Sequence, residues 1–182
     1  MSALTPDETI LGLLAAQSQH GYQLLEVFRD PQRLGNVWKL STSQLYAVLK
    51  RLERQQWISG VEQLSENAPP RIEYSITAHG WTILNHWLND VTPSASVRRI
   101  RVEFLSRLYI AQLLKYPIEP IIAQQRAACQ AEYTRLQSAH ASTPNGIDSL
   151  AADMVITQLE AVLAWIDRCK LVLQSTQTKE TD

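Results

Sequence analysis

The stretch Ser41–Ile58, STSQLYAVLKRLERQQWI, followed after a polar break by Pro70–Gly80, PRIEYSITAHG, decides the fold. In the first piece Leu45, Val48, Leu49 and Leu52 recur at helical spacing, with Trp57 and Ile58 beyond them. Gln44, Lys50, Arg51 and Arg54 supply polar reach from the same helix. In the second piece Ile72, Tyr74 and Ile76 alternate with Glu73, Ser75 and Thr77, as a half-buried strand requires. Thr77-Ala78-His79-Gly80 then opens a helix carrying Trp81, Leu84, Trp87 and Leu88. Helix, two-stranded hairpin and helix in this order predict a winged helix-turn-helix, with the hairpin tip in the polar stretch Ser65–Pro70.

Upstream, Thr5-Pro6-Asp7-Glu8 is a helix start, with a cap, a proline in the first turn and acids at the positive end of the dipole. Ile10, Leu11, Leu13 and Leu14 give that helix its apolar face. His20–Asp30 restarts a helix after Gly21, and Asp30-Pro31 and Gly35-Asn36 punctuate before Trp38. A boundary at Thr92-Pro93-Ser94 divides the chain into a winged-helix domain, residues 1–92, and a helical domain, residues 93–182.

The second half lacks strand alternation. Val97–Tyr116 is apolar on two sides, a helix follows from Ile121 to His140, Ser142–Gly146 turns the chain, and a long helix runs from Asp148 to Gln174 ahead of a frayed tail. In that last helix Val155, Leu159, Val162, Ile166, Cys169 and Leu173 form a heptad seam. A second stripe, Leu150, Met154, Ala161, Trp165 and Val172, lies about a quarter turn away. A helix apolar on two faces has two neighbours, and the seam is assigned to a second copy of the chain. The fold class expected is mainly α with a small β-hairpin: an N-terminal winged helix-turn-helix and a C-terminal helical dimerisation domain.

Composition limits the function classes. The 182 residues are 45% hydrophobic and 19% charged, ordinary for a globular chain. No signal-peptide pattern opens the sequence and no run of about 18 apolar residues is read, which predicts a cytoplasmic protein without a membrane partner. Cys129 and Cys169 stand far apart with no CxxC spacing, so they read as buried small hydrophobes, and neither a disulfide framework nor a metal site is expected. His20 has no Cys or His at ligand spacing and reads as a turn residue. No phosphate loop, nucleophile elbow or paired-carboxylate pattern is present, so neither a catalytic residue nor a cofactor is assigned.

The net charge is −1, and residues 1–92 hold 7 Lys and Arg against 9 Asp and Glu. Bulk charge therefore cannot carry nucleic-acid binding; geometry, helix ends and dimeric avidity would have to. On that reading Ser41, Thr42, Ser43 and Gln44 project from the first helical turn into a major groove, with Tyr46, Lys50 and Arg51 one or two turns on. Arg71, the cation nearest the hairpin tip, is the candidate for a minor-groove contact. Against this stands a plain amphipathic core helix, and the acidic balance supports a rival reading, a winged-helix module that docks another protein without binding DNA. Trp87, Phe104, Tyr109 and Trp165 are the candidate lining of a small aromatic effector site, weighed against a packed core with no cavity.

With HGYQLLEVF, LYAVLKRLERQQWI and PRIEYSITAHG in view, the chain resembles the PadR family of bacterial transcriptional regulators, in the branch with a long C-terminal helical domain of the virulence-activator type. The resemblance rests on His20-Gly21-Tyr22, Leu45-Tyr46, Arg51-Leu52-Glu53, Pro70-Arg71, Tyr74, Thr77 and Gly80, and more loosely on Val97–Pro117. It implies a winged helix joined to dimerising helices, binding to a double-stranded operator as a homodimer, and in some members release of DNA on binding small aromatic molecules; for this chain a repressor is expected. Two departures stand out: family members commonly have glycine where Gln56 stands, and a second basic residue where Ile72 follows Arg71.

Overall fold

The computed structural model describes residues 4–65, 68–140 and 146–179. Its elements begin with α1 (Asp7–Ala16), the two-residue strand β1 (Gln19–His20) and α2 (Gly21–Arg29). There follow α3 (Thr42–Arg54), β2 (Ile58–Ser65), β3 (Ala68–Ile76) and α4 (Ala78–Leu88). The quoted stretch thus folds as helix, hairpin and helix. Leu45, Val48, Leu49 and Leu52 are all buried, because a spacing of three and four residues keeps them on one side of α3.

The sheet has three antiparallel strands in the order β1-β3-β2. β2 and β3 pair from Ile58↔Ile76 to Gln63↔Arg71 and then, past an irregularity, Ser65↔Ala68; β1 adds Gln19↔Tyr74 and His20↔Glu73 on the other side of β3. The hairpin expected from sequence is therefore part of a slightly larger sheet. A two-residue strand shows no alternation, so β1 could not be read. The expected tip also narrows: β3 already begins at Ala68, and residues 66–67 lie outside the described part.

Downstream come α5 (Val97–Arg99), a π-helical segment (Ile100–Phe104), α6 (Leu105–Leu113), α7 (Glu119–His140) and α8 (Ile147–Lys179). The chain forms two compact units, but not with the boundary expected at residue 92. One unit is Met1–Asn89 with Val102–Pro117; the other is Asp90–Arg101 with Ile118–Asp182.

The reason is packing in the first unit. Gly12 of α1 lies so close to α6 that a Cβ there would stand 2.3 Å from Ile110 Cγ2. Trp38 Nε1–H donates to Ser106 Oγ at 2.8 Å inside the core, and Phe104, Leu108, Ile110 and Ala111 are buried. The apolar sides of this segment complete the core of the winged helix, an assignment that periodicity alone cannot make.

In the second unit α7 and α8 form an antiparallel pair. Arg126 Nε donates to Asp167 Oδ1 at 2.8 Å and the Tyr133 hydroxyl donates to Glu160 Oε1 at 2.7 Å, so the partners advance in opposite directions along the two helices. The Arg126 hydrogen bond holds the Asp167 carboxyl below its ordinary range. Leu159 and Ile166, two members of the seam assigned to a second copy, are 1% and 0% exposed within this single chain. Val162 and Cys169 are half-buried, Val155 is exposed, and the Leu173 side chain lies outside the described part.

The second stripe takes the opposite course. Ile147 is 80% exposed, Leu150 66%, and Met154 and Val172 62% each. At about 100° per residue these four share one narrow band along α8 with Ala161 and Trp165. With both stripes together, Ile147–Lys170 has the length and mean hydropathy, 1.4, of a membrane span, contrary to the expectation of no such run. Glu160 and Asp167, both bonded to α7, lie within that segment.

Candidate nucleic-acid interface

Helix α3 starts from a reciprocal cap. Gln44 N–H donates to Ser41 Oγ at 3.2 Å, and Ser41 N–H donates to the Gln44 side-chain oxygen at 2.8 Å. The cap satisfies backbone donors that a first turn leaves open, and it occupies the group expected to read a base. Ser41 Oγ lies 3.1 Å from Ser43 Oγ, and Thr42 Oγ1 accepts from Arg29 Nη2 at 3.1 Å. Ser41, Thr42 and Gln44 are thus engaged in holding the helix end, with all four residues of this turn exposed.

Arg51 is a clearer correction. Its guanidinium forms an ion pair with Asp7 at the start of α1, so it ties two helices together. The opposite side of α3 from Leu45, Val48, Leu49 and Leu52 carries Ser43, Ala47, Lys50 and Arg54, all exposed. Ala47 was not assigned from sequence, and Arg54 only as polar reach. The signal for them was present, since the residues about 180° from the buried quartet are those a partner in a groove would meet.

Arg71 lies close to the hairpin tip, three residues beyond the Ser65↔Ala68 pair. It pairs with Gln63 on β2, and its guanidinium carbon lies 5.5 Å from the centre of the Tyr22 ring. Tyr22 stands nearly parallel to His20, with centroids 5.8 Å apart and planes inclined by 10°. His20 Nδ1 is 3.1 Å from Ile72 O; since a carbonyl only accepts, Nδ1 carries the proton. These residues, with Gly21, Tyr46, Lys50, Glu53 and Tyr74, surround a cleft of about 710 Å³. Gly21 is a close-approach site: a Cβ there would stand 2.9 Å from the Tyr46 ring. Burial pushes the Tyr74 phenol above its ordinary range, reinforced by Glu53.

The four aromatic residues assigned to an effector site each sit in a unit of their own chain. Phe104 is in the core of the first unit, where Arg107 lies 5.7 Å from the Trp87 ring centre and Tyr109 OH accepts from Arg33 Nε at 3.0 Å. Trp165 belongs to the second unit and is half-buried. Cys129 is buried, with Gln125 Nε2 at 3.6 Å from its sulfur, and Cys169 is half-buried; burial raises both thiols above their ordinary range. Among the described residues no group of three or more His, Cys, Asp or Glu is placed to hold a metal.

A capped helix with a polar outer face, beside a hairpin that carries a cation, defines a winged helix-turn-helix protein. Residues 10–86 match the transcriptional regulator PadR-like family, and the chain carries a domain of that family. It is similar to the probable transcriptional regulator Rv1176c of Mycobacterium tuberculosis, 22% identical over 91% of this chain and 95% of that one. The negative transcriptional regulator PadR of Bacillus subtilis is 26% identical over 72% of this chain and 70% of its own. The crystal structure of Bacillus subtilis PadR in complex with operator DNA covers 93% of this chain and 98% of that chain at 20% identity, with a TM-score of 0.48.

Proposed function

We propose that the protein is a cytoplasmic homodimeric transcriptional regulator that binds an operator through α3 and the wing and acts as a repressor. The observation that carries this reading is the outer face of α3. Ser43, Ala47, Lys50 and Arg54 form an exposed strip, polar but for Ala47, on a capped helix whose apolar side is buried. A small residue at Ala47 between longer polar ones suits close approach to base edges, and two cations at its borders suit phosphates.

The second copy is met by the exposed stripe Ile147, Leu150, Met154 and Val172, because four large apolar side chains in one band are costly to leave in water. Leu159 and Ile166 of the seam serve instead to join α8 to α7. Dimerisation also answers the weak bulk charge, since two tethered modules raise effective affinity without added cations.

Selection of duplexes from a random-sequence library by the full-length protein tests the reading. A recovered motif with two-fold symmetry, and binding whose logarithm falls linearly with the logarithm of salt, is the expected result. Recovery of no motif, together with binding insensitive to salt, would replace the operator reading with a protein-docking one.

A further inference from the structure

The second unit contains a cavity of about 560 Å³ that neither base reading nor the joining of α7 to α8 explains. It is bounded by segment 94–98, by Glu132 of α7 and by Val155, Gln158 and Leu159 of α8. All of these belong to the one unit. Its boundaries are held from outside the cavity. Gln125, 2% exposed, donates from Nε2 to Ser94 O at 2.9 Å and so pins the segment to α7. The hydrogen bond from Tyr133 to Glu160, the residues following Glu132 and Leu159, ties α7 to α8 at the same level. A cavity whose boundaries are already fixed loses little freedom when it is filled.

Charge and shape decide the occupant. Two lining groups are charged, Arg98 and Glu132. Glu132 is already met, since Arg135 Nε and Nη2 donate to its two carboxylate oxygens at 2.7 Å each. Arg98 is exposed and makes no hydrogen bond or ion pair with any described residue. The cavity therefore presents one unmet positive charge, which suits one negative charge, and a carboxylate in the same lining disfavours a second. The apolar lining is Ala95, Val97, Val155 and Leu159, with no aromatic ring among them. A flat aryl group finds nothing here to stack on, whereas a flexible aliphatic body can follow branched side chains. The volume falls within the range of small-molecule sites, about 300–1,000 Å³.

We propose that this cavity binds an aliphatic monocarboxylate of medium chain length, with its carboxylate on Arg98 and its chain against Val97, Val155 and Leu159. The site is separate from the outer face of α3 and from the four aromatic residues assigned to an effector from sequence. It stands independently of the operator reading, because it can be filled whether or not α3 enters a groove.

Octanoate is the probe, with octan-1-ol as its uncharged counterpart and benzoate as an aryl acid, each titrated into the full-length protein carrying isotope-labelled valine and leucine methyl groups. Octanoate should shift the methyl signals of Val97, Val155 and Leu159 with a dissociation constant below about 1 mM. Octan-1-ol and benzoate should each bind about tenfold more weakly, the first for want of the charge-assisted hydrogen bond and the second for want of a chain that fits. Arg98→Gln should weaken octanoate about tenfold and leave octan-1-ol unchanged, and Arg98→Lys should restore most of the loss. Val155→Phe should fill the cavity and block both ligands while the melting temperature is retained. Absence of shifts at millimolar octanoate, shifts confined to other methyl groups, or octanoate binding that survives Val155→Phe would overturn the site. Equal affinity of the parent and Arg98→Gln for octanoate would overturn the carboxylate, and benzoate binding as tightly as octanoate would overturn the aliphatic class.

Discussion

Lys50 and Arg51 are neighbours in the chain, yet α3 sends their side chains about 100° apart, one into the cleft and the other onto Asp7. Sequence supplied the residue types here; the division of labour between them needed the position of α1. Arg51→Met is expected to reduce stability by about 1 kcal/mol, as suits a partly exposed charge pair, and to leave the salt slope of DNA binding unchanged. Urea unfolding and a salt titration on one preparation check both halves. Glu8, next to Asp7, offers a pH-dependent contrast. Its carboxyl is raised above the ordinary glutamate range, first by burial, with Asp7 and Glu103 adding repulsion against the lowering effects of a backbone hydrogen bond and Arg51. The native state therefore binds this proton more tightly than the unfolded chain, and the contribution to stability falls as pH rises through and above the ordinary glutamate range. Glu8→Gln should accordingly raise the melting temperature at pH 7 and raise it less at pH 4.

Two helix ends share one device. After α3, Gln56 adopts φ 58°, its N–H reaches Glu53 O, and Trp57 N–H reaches Leu52 O. After α6, Lys115 adopts φ 54°, its N–H reaches Gln112 O, and Tyr116 N–H reaches Ala111 O. Both are Schellman endings with a long side chain where glycine is the usual choice. The departure from the family's common glycine at Gln56 thus leaves the helix ending in the glycine-type conformation. Replacing either residue by glycine is expected to stabilise the protein by about 1 kcal/mol, read from the urea midpoint at constant m-value. The elements carrying strong periodicity, α3 and β3 above all, were legible in sequence. β1 was not, being too short for a period, and neither was the π-helical segment Ile100–Phe104, where five residues break a repeat without any proline or glycine to mark the place.

At the scale of the whole chain, sequence found two apolar stripes on α8 and gave the heptad seam to a second copy, because periodicity locates a face and not its neighbour. The burial of Leu159 and Ile166 assigns one stripe to α7. Leu150→Glu with Met154→Glu should then convert a dimer to a monomer in sedimentation at micromolar concentration with the helix content retained, whereas Leu159→Glu should unfold the second unit. The domain boundary is a further case, since Thr92-Pro93-Ser94 looks like a linker while part of the first unit's core lies beyond it. A fragment ending at residue 92 lacks Ile110 and Ser106 and is expected to lose its cooperative thermal transition; one ending at residue 117 should keep it.

The same out-and-back path has a consequence during synthesis. The first unit passes Asn89, leaves for twelve residues that belong elsewhere, and is complete only at Pro117. At a ribosome adding about 5–20 residues per second, the stretch between those two points takes on the order of seconds to emerge. Throughout that interval the Gly12 face of α1 waits without Ile110 of α6 against it, so a change in the speed of α6 docking is expected to be felt as a change in soluble yield.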